Sequence, residues 1–176
     1  MIGLDLLRRL RSRERSSGQA MIEFALVTPI LFVMVIGIFE AGRLVFYNEL
    51  LANASREGAR YAIVHGARSD CPSGPPPPLE TNQCDPSGQN VKLAVQDAAL
   101  DMVSVGDLFV FDPVWTSRGS LSNPLPGDSS TGHNARGEYV TVFVDFTYEP
   151  LAAAILDIPL LPEITLSAES TLVINT

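Results

Sequence analysis

One apolar stretch dominates the sequence: Gly18–Phe39, which reads GQAMIEFALVTPILFVMVIGIF. Residues 20–39 carry a single charge, that of Glu23, close to the start of the stretch. A helix of that length rises about 30 Å, which matches the hydrocarbon core of a bilayer. The core helix of a soluble protein normally carries a polar stripe, and this stretch has almost none. We therefore predict one membrane-spanning helix at about residues 20–39.

The charges on either side of this stretch predict its orientation. Residues 1–18 have a net charge of +3, which leaves −11 on the rest of the chain. The positive-inside rule then places the N-terminus in the cytoplasm and the chain beyond the span outside. The acidic remainder argues against a nucleic-acid partner, because few basic groups are left to neutralise phosphates. The basic residues of the leader are Arg8, Arg9, Arg11, Arg13 and Arg15.

Such an N-terminus has three possible fates: cleavage as a secretory signal, retention as an uncut anchor, or cleavage on the basic side of the span. The apolar run is longer than the core of a secretory signal, and no good A-x-A-like site follows it directly. Gly18, between leader and span, would give a peptidase access to the backbone. Glu23 is costly inside a membrane and therefore needs a role. It is either an interfacial, snorkelling acid or the partner of a freed amino terminus.

The residues around this junction resemble a known family. The basic leader, Gly18, the Glu23-Phe24 pair and the long apolar helix resemble a type IV prepilin-type leader. The string GQAMIEFALVTPILF, followed by NASREGARYA at residues 53–62, resembles the TadE family, pilin-like proteins of the bacterial tight-adherence (Tad) pilus system. The sibling TadF family shares much of this pattern, so the choice between the two stays open.

The resemblance implies a maturation step, partners and a location. A prepilin peptidase would cut between Gly18 and Gln19, and Glu23 with Phe24 would serve assembly. The partners would be other Tad pilins or pseudopilins and the pilus assembly platform. The protein would lie in the bacterial inner membrane as a single-pass protein, with the C-terminal domain outside or incorporated in a pilus.

The rest of the chain predicts one small external domain. We divide the chain into a leader (1–18), a long helix (19–66), a proline-rich cysteine loop (67–88) and an α+β domain (89–176). The helix is expected to continue past the membrane because apolar residues recur at a spacing of three and four. These residues are Leu44, Tyr47, Leu51, Ala54, Gly58, Tyr61, Ile63 and Val64.

Cys71 and Cys84 are the two cysteines of the chain. Outside the cytoplasm they would pair and close a loop, a constraint that contributes on the order of 3 kcal/mol to stability. A CxxC redox motif is absent, and a metal site would need more soft ligands nearby. We predict a structural disulfide.

The C-terminal half predicts a second helix followed by strands. Val91, Val95 and Ala98 lie on one helical face, and Gly106 would stop that helix. Pro113 interrupts the first strand and makes it suitable for a sheet edge, whereas the later strands alternate with period two. We predict that Thr141 faces outward and that Ile164, in the last strand, faces inward. The other residues predicted to face inward are Val140, Val142, Val144, Phe146 and Tyr148. The result is an α+β fold with an antiparallel sheet of about three to four strands. The predicted elements are a helix at Asn90–Val105 and strands at Leu108–Trp115, Tyr139–Tyr148 and Glu163–Asn175.

Two segments of this half are expected to be irregular. Leu151–Leu161 is apolar but too short to cross a membrane, and we interpret it as a covered crossover. Ser117–Gly137 is a long polar loop, which we interpret as mobile.

The search for catalytic groups gives a negative result. His65 and His133 have no metal-ligand partner at helical spacing, and no GxSxG, HExxH, P-loop or dinucleotide motif occurs. We predict no enzymatic activity, cofactor, metal or small-molecule substrate. Two function classes stay open. One is a cleaved, pilin-like structural component. The other is an uncleaved single-pass protein whose external domain is a binding module or adhesin.

Overall fold

The computed structural model describes residues 2–81, 84–99, 108–119, 123–150 and 163–175, with side chains from Gly18 onward. This part of the chain forms two helices and four strands. It divides into two compact units, Met1–Arg43 and Leu44–Thr176. The elements are α1 (Ile2–Val64), α2 (Gln89–Ala99), β1 (Leu108–Val110), β2 (Val114–Thr116), β3 (Tyr139–Tyr148) and β4 (Ile164–Val173).

The first unit consists of the N-terminal part of α1. The helix is long and apolar enough to cross a membrane, and none of its apolar window is buried. It runs without a break through Gly18 and Pro29 and extends further towards the N-terminus than the predicted start at Gln19. The long helix and its end near His65 agree with the sequence analysis. The predicted division of the chain at residues 18, 66 and 88 stays a prediction.

The C-terminal part of α1 belongs to the second unit and is buried on one face. Leu51, Ala54 and Ala62 are completely buried there, as the three-four spacing requires. Two i,i+3 ion pairs lie along α1, Glu40–Arg43 at the end of the first unit (3.8 Å) and Glu57–Arg60 in the second (3.9 Å). The placement of Val64 on the buried face was wrong. Its side chain is 53% exposed, because α1 ends at this residue.

Helix α2 packs against α1 at Gly58. A Cβ at this glycine would overlap the Cγ2 methyl of Val95, so the contact needs a residue without a side chain. The buried face of α2 is Val91, Val95 and Ala99. Ala98, predicted to be on that face, is exposed, because the buried positions follow a spacing of four. Residues 100–107, which include Met102, Val105 and Gly106, lie outside the described residues.

The sheet is antiparallel with β3 at its centre. Strand β4 pairs along the whole of β3, from Tyr139↔Val173 to Tyr148↔Ile164. Strands β1 and β2 occupy the other edge of β3 in succession, and the break between them contains Pro113. The predicted α+β class, the antiparallel sheet and the interrupted edge strand are therefore confirmed.

The inner face of β3 supplies the core of the second unit. The predicted inward residues Val140, Val142, Val144, Phe146 and Tyr148 are all buried. They pack against the apolar face of α1. The ring centroid of Tyr47, on α1, is 5.1 Å from that of Phe146 and 5.6 Å from that of Tyr148.

The outer face of the sheet is partly covered as well. Thr141 faces outward as predicted but is buried, and its hydroxyl lies 2.9 Å from that of Thr171. Phe143 is also buried and lines a pocket with residues 123–126. Ile164, predicted to face inward, is 37% exposed at the start of β4. The predicted crossover at 151–161 lies outside the described residues.

The contact at Gly58 yields a stability prediction. Gly58→Ala should destabilise the second unit by about 1–2 kcal/mol, because overpacking Val95 outweighs the gain in helix propensity. Thermal unfolding of the full chain in detergent, followed by the fluorescence of its single tryptophan, measures this.

Gly42→Ala is the matched control in the same helix. No atom lies within 4 Å of the Cβ position at Gly42, so this variant should unfold at or above the wild-type midpoint. Equal midpoints for the two variants would contradict the close α1–α2 contact.

Candidate functional site

The predicted processing site lies on the exposed surface of α1. Gly18, Gln19, Glu23 and Phe24 are all exposed, and no atom lies within 4 Å of the Cβ position at Gly18. Gln19 and Glu23 are four residues apart and therefore share one helix face, one turn from each other. Helical side chains lean towards the N-terminus, so the Glu23 carboxylate leans towards the turn that begins at Gln19.

Pro29, six residues after Glu23, interrupts the backbone hydrogen bonding of the helix. Pro29 has no N–H to donate, which removes the helical partner of the Ala25 carbonyl. The Thr28 hydroxyl donates a hydrogen bond of 2.6 Å to the neighbouring carbonyl of Phe24.

The predicted cysteine pair is found at disulfide distance in the second unit. The Cα atoms of Cys71 and Cys84 are 5.4 Å apart. Beside them, Ser73 and Asp85 form a β-bridge, and the Gly74 N–H donates to the Asp85 carbonyl at 2.7 Å. The two ends of the proline-rich loop are therefore joined by backbone hydrogen bonds as well as by sulfur.

The side chain of Asp85 caps α2, a role that the sequence analysis missed. Its two carboxylate oxygens accept hydrogen bonds from the backbone N–H groups of Gln89 and Asn90, at 2.7 and 2.9 Å. Asp85 is only 4% exposed, so these charge-assisted bonds replace most of its hydration. The order Asp-Pro-Ser-Gly directly before the helix was an available signal for a cap.

Trp115 is held between two glycines of the same region. Its indole is buried, and a Cβ at either Gly74 or Gly88 would overlap the ring. Both glycines have positive φ, 101° and 75°, which other residues rarely adopt. The Trp115 ring, on β2, therefore packs between the cysteine loop and the segment just before α2. No sequence signal gives this arrangement, because it depends on contacts between distant segments.

Asn134 anchors the loop that we interpreted as mobile. It is fully buried, and its backbone N–H donates to the Pro75 carbonyl at 2.8 Å. Its own carbonyl accepts from the Ala67 N–H at 2.9 Å, and its side-chain amide donates to the Ser73 carbonyl. The described part of this loop is thus tied to the end of α1 and to the cysteine loop, contrary to our interpretation.

Within the described residues, no group of three histidines, cysteines or carboxylates could hold a metal ion. The His65 ring stacks on Tyr61 with centroids 3.9 Å apart, and His133 lies 3.9 Å from Glu138. Asp97 is exposed on the outer side of α2.

One unit with an exposed apolar helix and a second unit with a small α+β fold fit a membrane-anchored protein. Residues 18–60 match the family model described as TadE-like protein. The match begins at Gly18, includes Glu23 and Phe24 and ends at Arg60 within α1. The predicted resemblance to the TadE family is confirmed over this segment. Neither a curated protein nor a solved structure matches the chain.

The cap on α2 yields a second stability prediction. Asp85→Ala should destabilise the second unit by about 2 kcal/mol, because two N–H groups in a largely buried site lose their acceptor. Chemical denaturation followed by circular dichroism measures this. Asp97→Ala, an exposed aspartate of the same helix, is the control and should change stability by less than about 0.5 kcal/mol. Equal losses in the two variants would contradict a specific cap.

Proposed function

We propose that this protein is a TadE-like minor pilin or pseudopilin, a membrane-anchored structural component of Tad pilus assembly or secretion. One observation carries the proposal: the TadE-like match begins at Gly18 and follows the exposed apolar helix. The role is structural rather than enzymatic, so the energy for assembly must come from another protein.

The proposed location is the bacterial inner membrane, with a single span. The leader charge of +3 keeps the N-terminus in the cytoplasm, and the chain beyond the span lies outside the membrane. The disulfide-distance pair Cys71–Cys84 supports this orientation, because disulfides persist in oxidising compartments and are rare in the cytosol.

The proposed maturation step is cleavage between Gly18 and Gln19 by a prepilin peptidase. The site is open, because Gly18 has no side chain and no atom of the described residues lies within 4 Å of its Cβ position. Cleavage removes the carbonyl partners of the first helical N–H groups and leaves an ammonium group on Gln19. The helix N-terminus then combines a positive charge with unpaired donors.

Glu23 is the proposed partner of that new terminus. A lone carboxylate within a membrane costs up to a few kcal/mol, and pairing with an ammonium group offsets much of this cost. The carboxylate leans towards the Gln19 turn, so it can neutralise its own terminus or that of a neighbouring subunit. Phe24, which is 71% exposed, would then contact a neighbouring helix in an assembly. The proposed neighbours are other Tad pilins or pseudopilins and the assembly platform.

The mature N-terminus tests the proposed cleavage. Co-expression with a prepilin peptidase should yield a membrane protein that begins at Gln19, whereas expression without the peptidase should leave the leader attached. Mass spectrometry of the membrane-extracted protein identifies the first residue. An intact leader in cells that contain the peptidase would favour the uncleaved, surface-binding alternative.

The role of Glu23 has its own prediction. Glu23→Ala should leave membrane insertion and cleavage intact but lower incorporation into assemblies at least about tenfold, which corresponds to about 1.4 kcal/mol of lost pairing. Co-purification with pilus components, normalised to membrane content, measures this. Glu49→Ala, an exposed glutamate of the same helix, should incorporate normally. Normal incorporation of the Glu23 variant would remove this residue from the mechanism.

A further inference from the structure

A tight turn presents Leu79 at the tip of the cysteine loop. The Glu80 N–H donates to the Pro77 carbonyl at 3.1 Å, which closes a four-residue turn over Pro78 and Leu79. Leu79 is the third residue of the turn and has a φ of 78°. A proline at the second position and a positive φ at the third position are the features of a type II turn. Its third position normally belongs to glycine, because a side chain strains a left-handed backbone.

The leucine gains nothing within the fold that would offset this strain. Its side chain is fully exposed, more so than any other large apolar side chain among the described residues. The position therefore carries two costs, a strained backbone and an apolar group in water. Strained residues of this kind cluster at functional sites, where they are held by the surrounding structure.

The loop restricts the backbone that carries this side chain. Four consecutive prolines, Pro75–Pro78, limit the backbone on one side of Leu79, and the Cys71–Cys84 pair closes the loop at its base. A side chain on a restricted backbone costs less entropy to bind, because the backbone is already ordered.

We propose that Leu79 is the anchor of a docking surface for a different protein. The partner has an apolar pocket that receives the leucine and a basic rim that receives Glu80. This follows from the chemistry of the tip, where a lone apolar side chain stands directly beside a carboxylate.

Charge distinguishes this partner from a second copy of the chain. An apolar pocket of about 270 Å³ lies on the outer face of the sheet, with Phe143 and Leu125 in its lining. Asp145 and Glu169 line the same pocket and would meet Glu80 with like charge. The net charge of −8 disfavours self-association further. An anionic lipid surface would likewise repel Glu80.

The test uses the full chain in its native membrane, with a photo-crosslinking amino acid at position 79. We expect a covalent adduct with one different protein, in which the crosslinked peptide is apolar and flanked by lysine or arginine. Glu80→Lys on the crosslinker-bearing chain should lower the adduct yield at least fivefold. The proposal would be overturned by an adduct with a second copy or with lipid, or by the absence of any adduct. It would also be overturned if Glu80→Lys left the adduct yield unchanged.

A second measurement separates docking from a structural role. Leu79→Gly relieves the strained backbone, so its thermal midpoint should rise or stay unchanged, while recovery of the identified partner by co-purification should fall at least tenfold. The control is Leu125→Ala, at another exposed leucine that lies between two prolines, and it should leave recovery of the partner unchanged. A fall in the Leu79→Gly midpoint, or undiminished recovery, would overturn the proposal.

Discussion

A single helix must satisfy two different environments, and the rest of the structure depends on this constraint. From Ala20 to Phe39, α1 is apolar around its whole circumference apart from Glu23, a pattern suited to a lipid environment. From Leu44 onward the same helix is apolar on one face only, and that face forms part of a protein core. The change occurs at Glu40 and Arg43, which pair with each other. No break in the helix is needed, because only the pattern of side chains changes.

The core that receives this helix is small and depends on close approach. Gly58 lets α2 come near α1, and Gly74 and Gly88 let two backbone segments close on the ring of Trp115. Most of the buried apolar side chains in the described residues are alanine or valine, and backbone contacts and the cysteine bridge add to the organisation of this core. Asp85 belongs to the same region, since it both bridges to Ser73 and caps α2. The cysteine loop is therefore a structural junction and not a peripheral insertion.

The sequence predicted the elements whose signals are local and periodic. The bounds of β3 and the end of α1 near His65 follow from period-two and period-3.6 patterns, which each segment carries within itself. The proposed cleavage site at Gly18 and the proposed assembly residue Glu23 also come from a local pattern, and both stay predictions. Asp85 had a local signal that was overlooked, in the turn residues before α2.

Features that depend on distant partners could not be predicted in this way. The contact between Trp115 and Gly74 joins residues far apart in the chain, and only the fold brings them together. The exposure and positive φ of Leu79 depend on the turn that surrounds it, and the sequence showed only a leucine after prolines. Asn134 was hidden for the same reason, because its three hydrogen bonds reach the end of α1 and the cysteine loop.

The pairing of β3 with β4 has a consequence for synthesis. Strand β4 forms the backbone hydrogen bonds along one whole edge of β3. Ile174, directly after β4, is completely buried. A nascent chain therefore makes the apolar helix long before it makes the residues that close the core. Contacts between such distant segments form slowly. Until β3 and its partner β4 leave the ribosome, the buried face of α1 lacks the sheet against which it packs, a period in which a chaperone would be of use.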